Sequence, residues 1–367
     1  MLTLNPNAYS LLIRPLLFRL PPETAQSAAD LVLRQQFIWR ALSPALRVRS
    51  PKGPVDLGGL KLDNPVGLAA GYDKNCEFLP SMAALGFGYV TGGTVMESPR
   101  PGNPRPRLLR YTKEQSLINS LGFPSKGLEF AARQLEKAQG AMGGSPVVAS
   151  VSGVTVEEIV RCHRRLEPLA DAIEVNISSP NTAGLRVFQE PAALAELMGR
   201  LNDGRRKPLF VKLPPYASTN VRASSPMGRG TEAASTTAGE TRDRVLGLAE
   251  ACVHHGVSAL TVANSWPRQD TRLAVGTGGV SGKLIFPDTL RMVAEIKSEV
   301  GDRVAINACG GIFSGEDAWR ALRAGATTVQ LLTGLIYRGP GVARDINREL
   351  LRPMDRESAK GPSTRTG

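Results

Sequence analysis

From residue 51 onward the chain repeats one unit eight times: a short apolar run rich in β-forming residues, then a longer stretch with helical periodicity. The runs are Pro65–Gly71, Phe87–Thr94, Pro146–Ser152, Asp171–Ser178, Pro208–Pro214, Ser258–Ser265, Val304–Gly310 and Thr327–Gly334. The helical stretches begin near Asn75, Ser125, Thr155, Pro191, Thr241, Pro287, Ser314 and Val342. Strict alternation of strand and helix makes neighbouring strands parallel, each joined to the next by a right-handed helical crossover. Eight units are the number that closes into a (β/α)8 TIM barrel, so the expected class is α/β with a closed barrel. An open, doubly wound sheet is the competing arrangement; the count of eight and the lack of an early GxGxxG disfavour it.

The 367 residues exceed one plain barrel of about 250, and the surplus falls in three places. Residues 1–50 read as an N-terminal helical extension broken at Pro15 and at Pro21–Pro22. Within it Ala28, Leu31, Val32, Ile38, Trp39 and Leu42 fall near one face, with Arg34 and Arg40 off it. Such a piece either packs on the main domain or forms an amphipathic pair that touches a membrane or guards an apolar tunnel. Residues 216–243 are rich in Ser, Thr, Ala and Gly and read as a low-complexity insertion in a barrel domain spanning 51–352. Residues 353–367 read as a disordered tail.

A formal charge of +12, from 45 Lys and Arg against 33 Asp and Glu, invites a nucleic-acid partner. The basic residues are spread along the chain with no zinc-finger, RRM or basic-helix signature, so no nucleic acid is expected. Spread charge suits small anions and an anionic membrane surface. The four cysteines form no CxxC and no disulfide framework, and the three histidines are badly spaced for zinc, so no metal is expected. No apolar run reaches the roughly 18 residues of a membrane span. The opening MLTLNPNAYSLLIRPLLFRL is interrupted by Arg14 and Arg19 and makes a poor signal peptide.

In a (β/α)8 barrel, chemistry sits at the C-terminal ends of the strands. There the chain places Ala70, Gly71, Tyr72, Asp73 and Lys74 after the first strand and Thr94 after the second. Asn176, Ser179, Asn181 and Thr182 follow the fourth, Lys212 the fifth, Asn264 and Ser265 the sixth. Gly310, Gly311, Thr333 and Gly334 end the last two, a Gly-rich pair suited to a phosphate held by backbone N–H groups, with Gly282 as a further amide source. Lysines and amides dominate, and Asp73 is the only acid nearby. The set suits a planar anionic substrate and a phosphorylated cofactor, and lacks the carboxylate pair of acid–base hydrolysis.

The strings NPVGLAAGYDKN, PRPGNPRPRLLRY, INSLGF, NISSPNTAGLR, VKLPP, GGVSGK, ACGGI and VQLLTG, in order over about residues 55–345, resemble the dihydroorotate dehydrogenases of class 2, which are quinone-dependent and membrane-associated. The N-terminal extension resembles that class too. The resemblance implies an FMN-containing barrel that oxidises dihydroorotate to orotate in pyrimidine (UMP) biosynthesis, with reduced FMN reoxidised by a quinone. It implies peripheral attachment to the cytoplasmic side of the cell membrane through the N-terminal helices. Carried over by motif, Ser179 is the base that removes the C5 proton, assisted by Thr182 and with Phe123 packed nearby, while hydride passes from C6 to the flavin. A serine needs such a relay because its own pKa makes it a poor base. Lys74, Asn119, Ser120, Leu121, Gly122, Phe123, Asn176, Asn181, Asn264 and Ser265 surround the pyrimidine. Ala70, Gly71, Tyr72, Asp73, Lys74, Thr94, Ser150, Asn176, Lys212, Ala263, Gly282, Gly311, Leu332 and Thr333 surround FMN, and Arg110 stands on the quinone side.

Ser150 stands where the class usually has Asn, Ala263 where it has Thr, Ser120 where it has a basic residue and Leu332 where it has Tyr. The Leu332 change and the divergent first 50 residues bear on the electron acceptor more than on the barrel chemistry. A related FMN barrel with another acceptor, of the cytosolic dihydroorotate or the dihydropyrimidine type, is the alternative. A non-enzymatic phosphate-binding barrel is a remote one, against which Ser179, Lys74 and Lys212 stand together.

Overall fold

The structure, a computed structural model, describes residues 8–50, 53–178, 185–217 and 238–359. Eight parallel strands close into a barrel: β1 (Val66–Leu68), β2 (Tyr89–Val95), β3 (Val147–Val151), β4 (Ala172–Asn176), β5 (Leu209–Lys212), β6 (Ala259–Val262), β7 (Ala305–Cys309) and β8 (Thr328–Leu331). Seven fall inside the apolar runs, and β2 extends one residue past the end of its run at Thr94. Closure is made where β8 pairs with β1, Val329 opposite Val66 and Leu331 opposite Leu68. Outside lie α1 (Leu79–Ala84), α2 (Leu128–Ala138), α3 (Val156–Leu166), α4 (Pro191–Asn202), α5 (Ala238–His254), α6 (Phe286–Val300), α7 (Gly315–Arg323) and α8 (Val342–Ala359). Local chemistry sets several starts. The Thr155 hydroxyl caps α3 by accepting from Glu158 N, and Ser314 with Asp317 forms a capping box on α7.

The barrel interior is packed and partly polar. Tyr89 crosses it, and a Cβ at Gly67 would sit 2.2 Å from the Tyr89 ring, so only glycine leaves room for the phenol. Tyr89 Oη and Thr328 Oγ1 both donate to Asn307 Oδ1, Asn307 Nδ2 donates to Thr261 Oγ1, and Thr261 Oγ1 donates to Glu174 Oε2 at 2.8 Å. This bonded layer lies beneath the strand ends and pairs most of its buried polar atoms, Glu174 Oε1 excepted.

Two further sheets do not follow the βα rhythm. A hairpin of Val55–Leu57 and Leu60–Leu62 packs Leu57, Leu60 and Leu62 against Tyr89, Val148, Phe210 and Ala259 and closes the N-terminal mouth. At the opposite mouth an antiparallel sheet runs in the order Trp266–Gln269, Thr277–Gly282, Ser116–Asn119, Leu108–Tyr111. Its strands come from the loops after β2 and β6, so the INSLGF and GGVSGK strings lie on one sheet rather than in separate loops.

The N-terminal extension is helical over Arg14–Arg19, Pro22–Leu33 and Gln36–Leu46, preceded by a wider turn at Tyr9–Ile13. Pro15 does not break it: the wider turn at Tyr9–Ile13 runs straight into the helix Arg14–Arg19. The expected apolar face across Glu23–Leu42 is not formed as one stripe. The chain turns at Arg34–Gln35, which resets the phase, so Leu31 and Val32 are exposed while Leu33 and Trp39 are buried. Tyr216, inside the stretch read as an insertion, is buried and donates to Glu295 Oε2 at 3.1 Å. Helix α5 begins at Ala238, within the same stretch, and α8 runs on to Ala359, past residue 352.

Candidate functional site

One cavity of about 650 Å³ runs from the C-terminal strand ends to the N-terminal helices. Its outer part is lined by Ile13, Leu17, Phe18, Ala25, Ala29 and Leu33; its inner part by the rim residues of the barrel. The inner wall brings together Lys74, Asn119, Asn176, Asn264 and Ser265 with Leu121, Gly122 and Phe123. Ala70, Gly71, Tyr72, Thr94, Lys212, Ala263, Gly282, Gly311, Leu332 and Thr333 line it as well. Three expected positions are not on the wall. Asp73 is buried and accepts from the backbone N–H groups of Glu77 and Phe78, both at 2.7 Å, so its carboxylate orders the loop after β1. Burial pushes the pKa of that carboxyl up to about 6 against those two bonds. Ser150 stands behind Thr94, its Oγ 3.1 Å from Thr94 Oγ1. Ser120 is buried with an unpartnered hydroxyl. Ser179, Asn181 and Thr182 lie outside the described residues.

The amides are held by a hydrogen-bonded chain that joins the ends of three strands, β2, β4 and β6. Asn176 Nδ2 donates to Thr94 Oγ1 at 3.1 Å. Ser178 Oγ donates to Asn176 Oδ1 at 2.5 Å and accepts from Asn264 Nδ2 at 2.8 Å. Asn264 Oδ1 in turn accepts from Ser265 N. Ser178 therefore decides which way two cavity-facing amides point, a role only its neighbour in the Ser178–Ser179 doublet hinted at.

Beneath this chain lies a buried cation. Burial acts to lower the Lys212 pKa, while Cys309 and Glu174 facing it act the other way and prevail. Cys309 is itself pushed up by burial and stays a neutral thiol near pH 7. Glu174 stands two residues before Asn176 on β4, hence on the same inward face, a signal the strand period contains. Gln330, also on the wall, has an Oε1 without a partner. A heteroatom-rich ring bearing N–H groups fits this floor of one ammonium and one free acceptor.

At the far side Gly282 and Gly311 take φ of +100° and +74°. A Cβ at Gly311 would lie 2.5 Å from Phe286 Cβ, and one at Gly282 2.5 Å from Gln115 O. These turns admit only glycine and leave bare backbone beside Thr333, whose hydroxyl is 2.9 Å from Ser281 Oγ. That is a cradle for a phosphate. Among the described residues no group of three or more His, Cys, Asp or Glu side chains is placed to hold a metal ion.

At the outer end Arg110 Nη1 donates to Leu20 O at 2.7 Å, and its guanidinium lies 4.5 Å from the centre of the Phe18 ring. Tyr9 Oη donates to Ile336 O at 2.9 Å. Glu23 is clamped by Arg105 and Arg107, each at 2.9 Å, and Arg34 pairs with Glu77 at 3.1 Å. These contacts seat the helices over the cavity.

Fold and site define a (β/α)8-barrel enzyme with a covered cavity at the C-terminal strand ends, furnished with ammonium and amide donors and, among the described residues, without paired carboxylates on its wall. A dihydroorotate dehydrogenase family profile matches residues 54–354. The chain is 35% identical over 352 residues to a dihydroorotate dehydrogenase (quinone) of Coxiella burnetii, covering 91% of this chain and 94% of that one. It is 36% identical over 361 residues to a protein of the same name from Methylococcus capsulatus, covering 93% and 98%. Among solved structures, the Eimeria tenella DHODH in complex with ferulenol superposes with a TM-score of 0.76 at 27% identity, covering 93% of this chain and 95% of that one. The chain belongs to the dihydroorotate dehydrogenase family, in the class whose members are named quinone-dependent, and is an oxidoreductase.

Proposed function

We propose that the protein oxidises dihydroorotate to orotate, with FMN as its resident cofactor and a membrane quinone as the electron acceptor. What carries the reading is the single cavity that joins a donor-rich inner wall to an apolar outer end under the N-terminal helices. The residues present fit FMN: a glycine-only cradle for its phosphate, Lys212 and the free Gln330 acceptor for its ring, and Thr94 beside them. When bound, the flavin supplies a ring that takes up two electrons from one side of the cavity and passes them to the other.

The chain's own residues do the rest. Lys74, Asn119, Asn176, Asn264 and Ser265 hold the pyrimidine and its carboxylate, and Asn181 joins them from the loop after β4. Ser179 takes the proton from C5, with Thr182 carrying it on and Phe123 on the cavity wall. Lys212 offsets negative charge that develops on the electron-accepting ring, a fixed electrostatic role. Arg110 orients the quinone head group at the outer end.

Peripheral binding to the cytoplasmic face of the membrane belongs to the same proposal. Leu11, Leu12, Leu16 and Phe37 on the N-terminal helices are 70%, 68%, 62% and 72% exposed, among arginines, and an apolar face ringed by cations suits an anionic lipid surface. No helix among the described residues is long and apolar enough to cross a membrane.

The test is stopped-flow mixing of the flavin-loaded protein with dihydroorotate and then with quinone, fumarate or NAD. Dihydroorotate bleaches the flavin and quinone restores its colour. Ser179→Ala slows the bleaching at least about 100-fold with flavin still bound; equal rates remove Ser179 as the base.

A further inference from the structure

We propose that Asn103 and Arg107 are positioning residues for the substrate wall of the cavity, and that through them the N-terminal helix Pro22–Leu33 sets how tightly dihydroorotate is held; the proposal rests on the substrate reading above. Asn119, Leu121, Gly122 and Phe123 line the cavity, and Asn103 and Arg107 stand behind them, off the wall. Asn103 Nδ2 donates to Ser120 O at 2.8 Å, and the Asn103 backbone N–H donates to Leu121 O at 2.9 Å. Ser120 N donates to Arg107 O at 2.8 Å, one step beyond the strand pair Leu108–Asn119. The turn 101–107 thus carries the loop 120–123 from behind.

The loop needs that support. Gly122 and Phe123 take φ of +70° and +53°, and a phenylalanine in the left-handed region persists only where its surroundings hold it there. A Cβ at Gly122 would lie 2.6 Å from Asn103 Oδ1, so the Asn103 amide is packed against the loop backbone at its sharpest point. The turn is closed in its own right by the Arg107 guanidinium, whose Nη1 donates to Pro101 O at 2.8 Å and to Asn103 O at 3.0 Å. Arg107 Nε and Nη2 donate to Glu23 Oε1 at 3.1 and 2.9 Å. One planar fork therefore serves the turn with one nitrogen and the helix with the other two, which the single ammonium of a lysine cannot do.

Glu23 stands in the first turn of the helix Pro22–Leu33, whose Ala25, Ala29 and Leu33 line the apolar end of the cavity. The helix that covers the apolar end therefore also braces the polar wall, by the chain Glu23, Arg107, Asn103, Ser120. Without Glu23 the guanidinium loses its anchor and the turn loosens. Asn119 and Phe123 then lose their fixed place, and substrate has to order a loop that the clamp otherwise orders in advance, which weakens binding. Thr94, Asn176, Lys212 and Thr333 come from other strands and take no part in this chain of bonds. The effect therefore falls on dihydroorotate binding and not on flavin content.

The experiment mixes the full-length, flavin-loaded protein with dihydroorotate in an anaerobic stopped-flow instrument. The concentration dependence of bleaching gives a dissociation constant and a limiting rate. Asn103→Ala raises the dissociation constant about fivefold or more, while the limiting rate changes by less than about threefold and the flavin stays bound. Glu23→Ala raises it about threefold or more although Glu23 is on the N-terminal helix. Glu23→Gln, which keeps the accepting oxygen, binds closer to wild type. In the double variant the two effects combine to at least about twofold less than their product, because both act through one chain of bonds. Arg107→Lys gives the same rise and carries the test if Asn103→Ala does not fold. An unchanged dissociation constant in Asn103→Ala or Glu23→Ala, effects that multiply independently, or a limiting rate and flavin content that fall in step with binding each overturn the proposal. If dihydroorotate fails to bleach the wild type, the substrate reading falls and takes this proposal with it. A wild type that is bleached, beside variants that bind equally well, brings down this proposal alone.

Discussion

At the scale of single residues, orientation matters more than composition. Asn176 and Asn264 face the cavity in opposite senses, Asn176 presenting Oδ1 and Asn264 presenting Nδ2 to one shared hydroxyl, Ser178 Oγ. Ser178→Ala deletes both bonds, so Asn176 is held only by Thr94 and the residue 178 N–H, and Asn264 only by the Ser265 N–H. Each lost hydrogen bond weakens the hold on substrate by about 1 kcal/mol. The expected result is a kcat/KM for dihydroorotate lowered roughly 10- to 30-fold, with flavin content unchanged, as read by steady-state assay and absorbance. Asn176, Asn264 and Lys212 were legible from the strand-end rule alone. Ser178 and Gln330 were not, because a hydroxyl beside an expected base and an amide inside an apolar run carry no distinguishing period.

At the scale of elements, the N-terminal helices are held by a few polar clamps rather than by a broad core. Leu33, Trp39 and Leu46 enter the main core, while Glu23 ties the second helix to Arg105 and to the mostly buried Arg107. Glu23→Ala leaves the Arg107 guanidinium without its carboxylate, a loss of about 1–2 kcal/mol for a pair between exposed and buried. Amide exchange across Pro22–Leu33 then speeds up roughly 5- to 30-fold, while exchange in β4 and β5 stays as in the wild type. Uniform acceleration across both regions contradicts a local clamp. Periodicity located these helices but misjudged part of their faces, since Leu31 points outward once the chain turns at Arg34–Gln35, while Val32 lines the cavity with Leu33 and Trp39. A helical wheel holds only while one helix continues, and the turn there is set by packing of Leu33 and Trp39.

At the scale of the whole molecule, apolar exposure and positive charge coincide at one end. The first 50 residues carry six arginines against Glu23 and Asp30. Of the largest exposed apolar side chains, Leu11, Leu12, Ile13, Leu16, Leu20, Leu31, Val32 and Phe37 all lie there. Co-sedimentation with vesicles containing anionic lipid should show binding that weakens as salt rises from about 0.1 to 0.5 M. Replacing Leu16 and Phe37 together with Ser lowers the partition at least about tenfold, since each buried side chain of this size contributes about 1.5–3 kcal/mol. Equal partition of the variant removes these helices as the membrane face.

By itself the sequence determined the eight strands, most helix starts, the family and the residue types at the barrel rim. Those are local properties: strand period, turn chemistry and short strings of side chains that recur in order. Only the tertiary structure decided that the loops after β2 and β6 pair into one sheet over the mouth, that Glu174 stands under Lys212, and that Ser178 joins Asn176 to Asn264. Each of these joins segments distant in the chain, and such pairings are settled by how the apolar faces of the closed barrel and the helices pack, which no local pattern encodes.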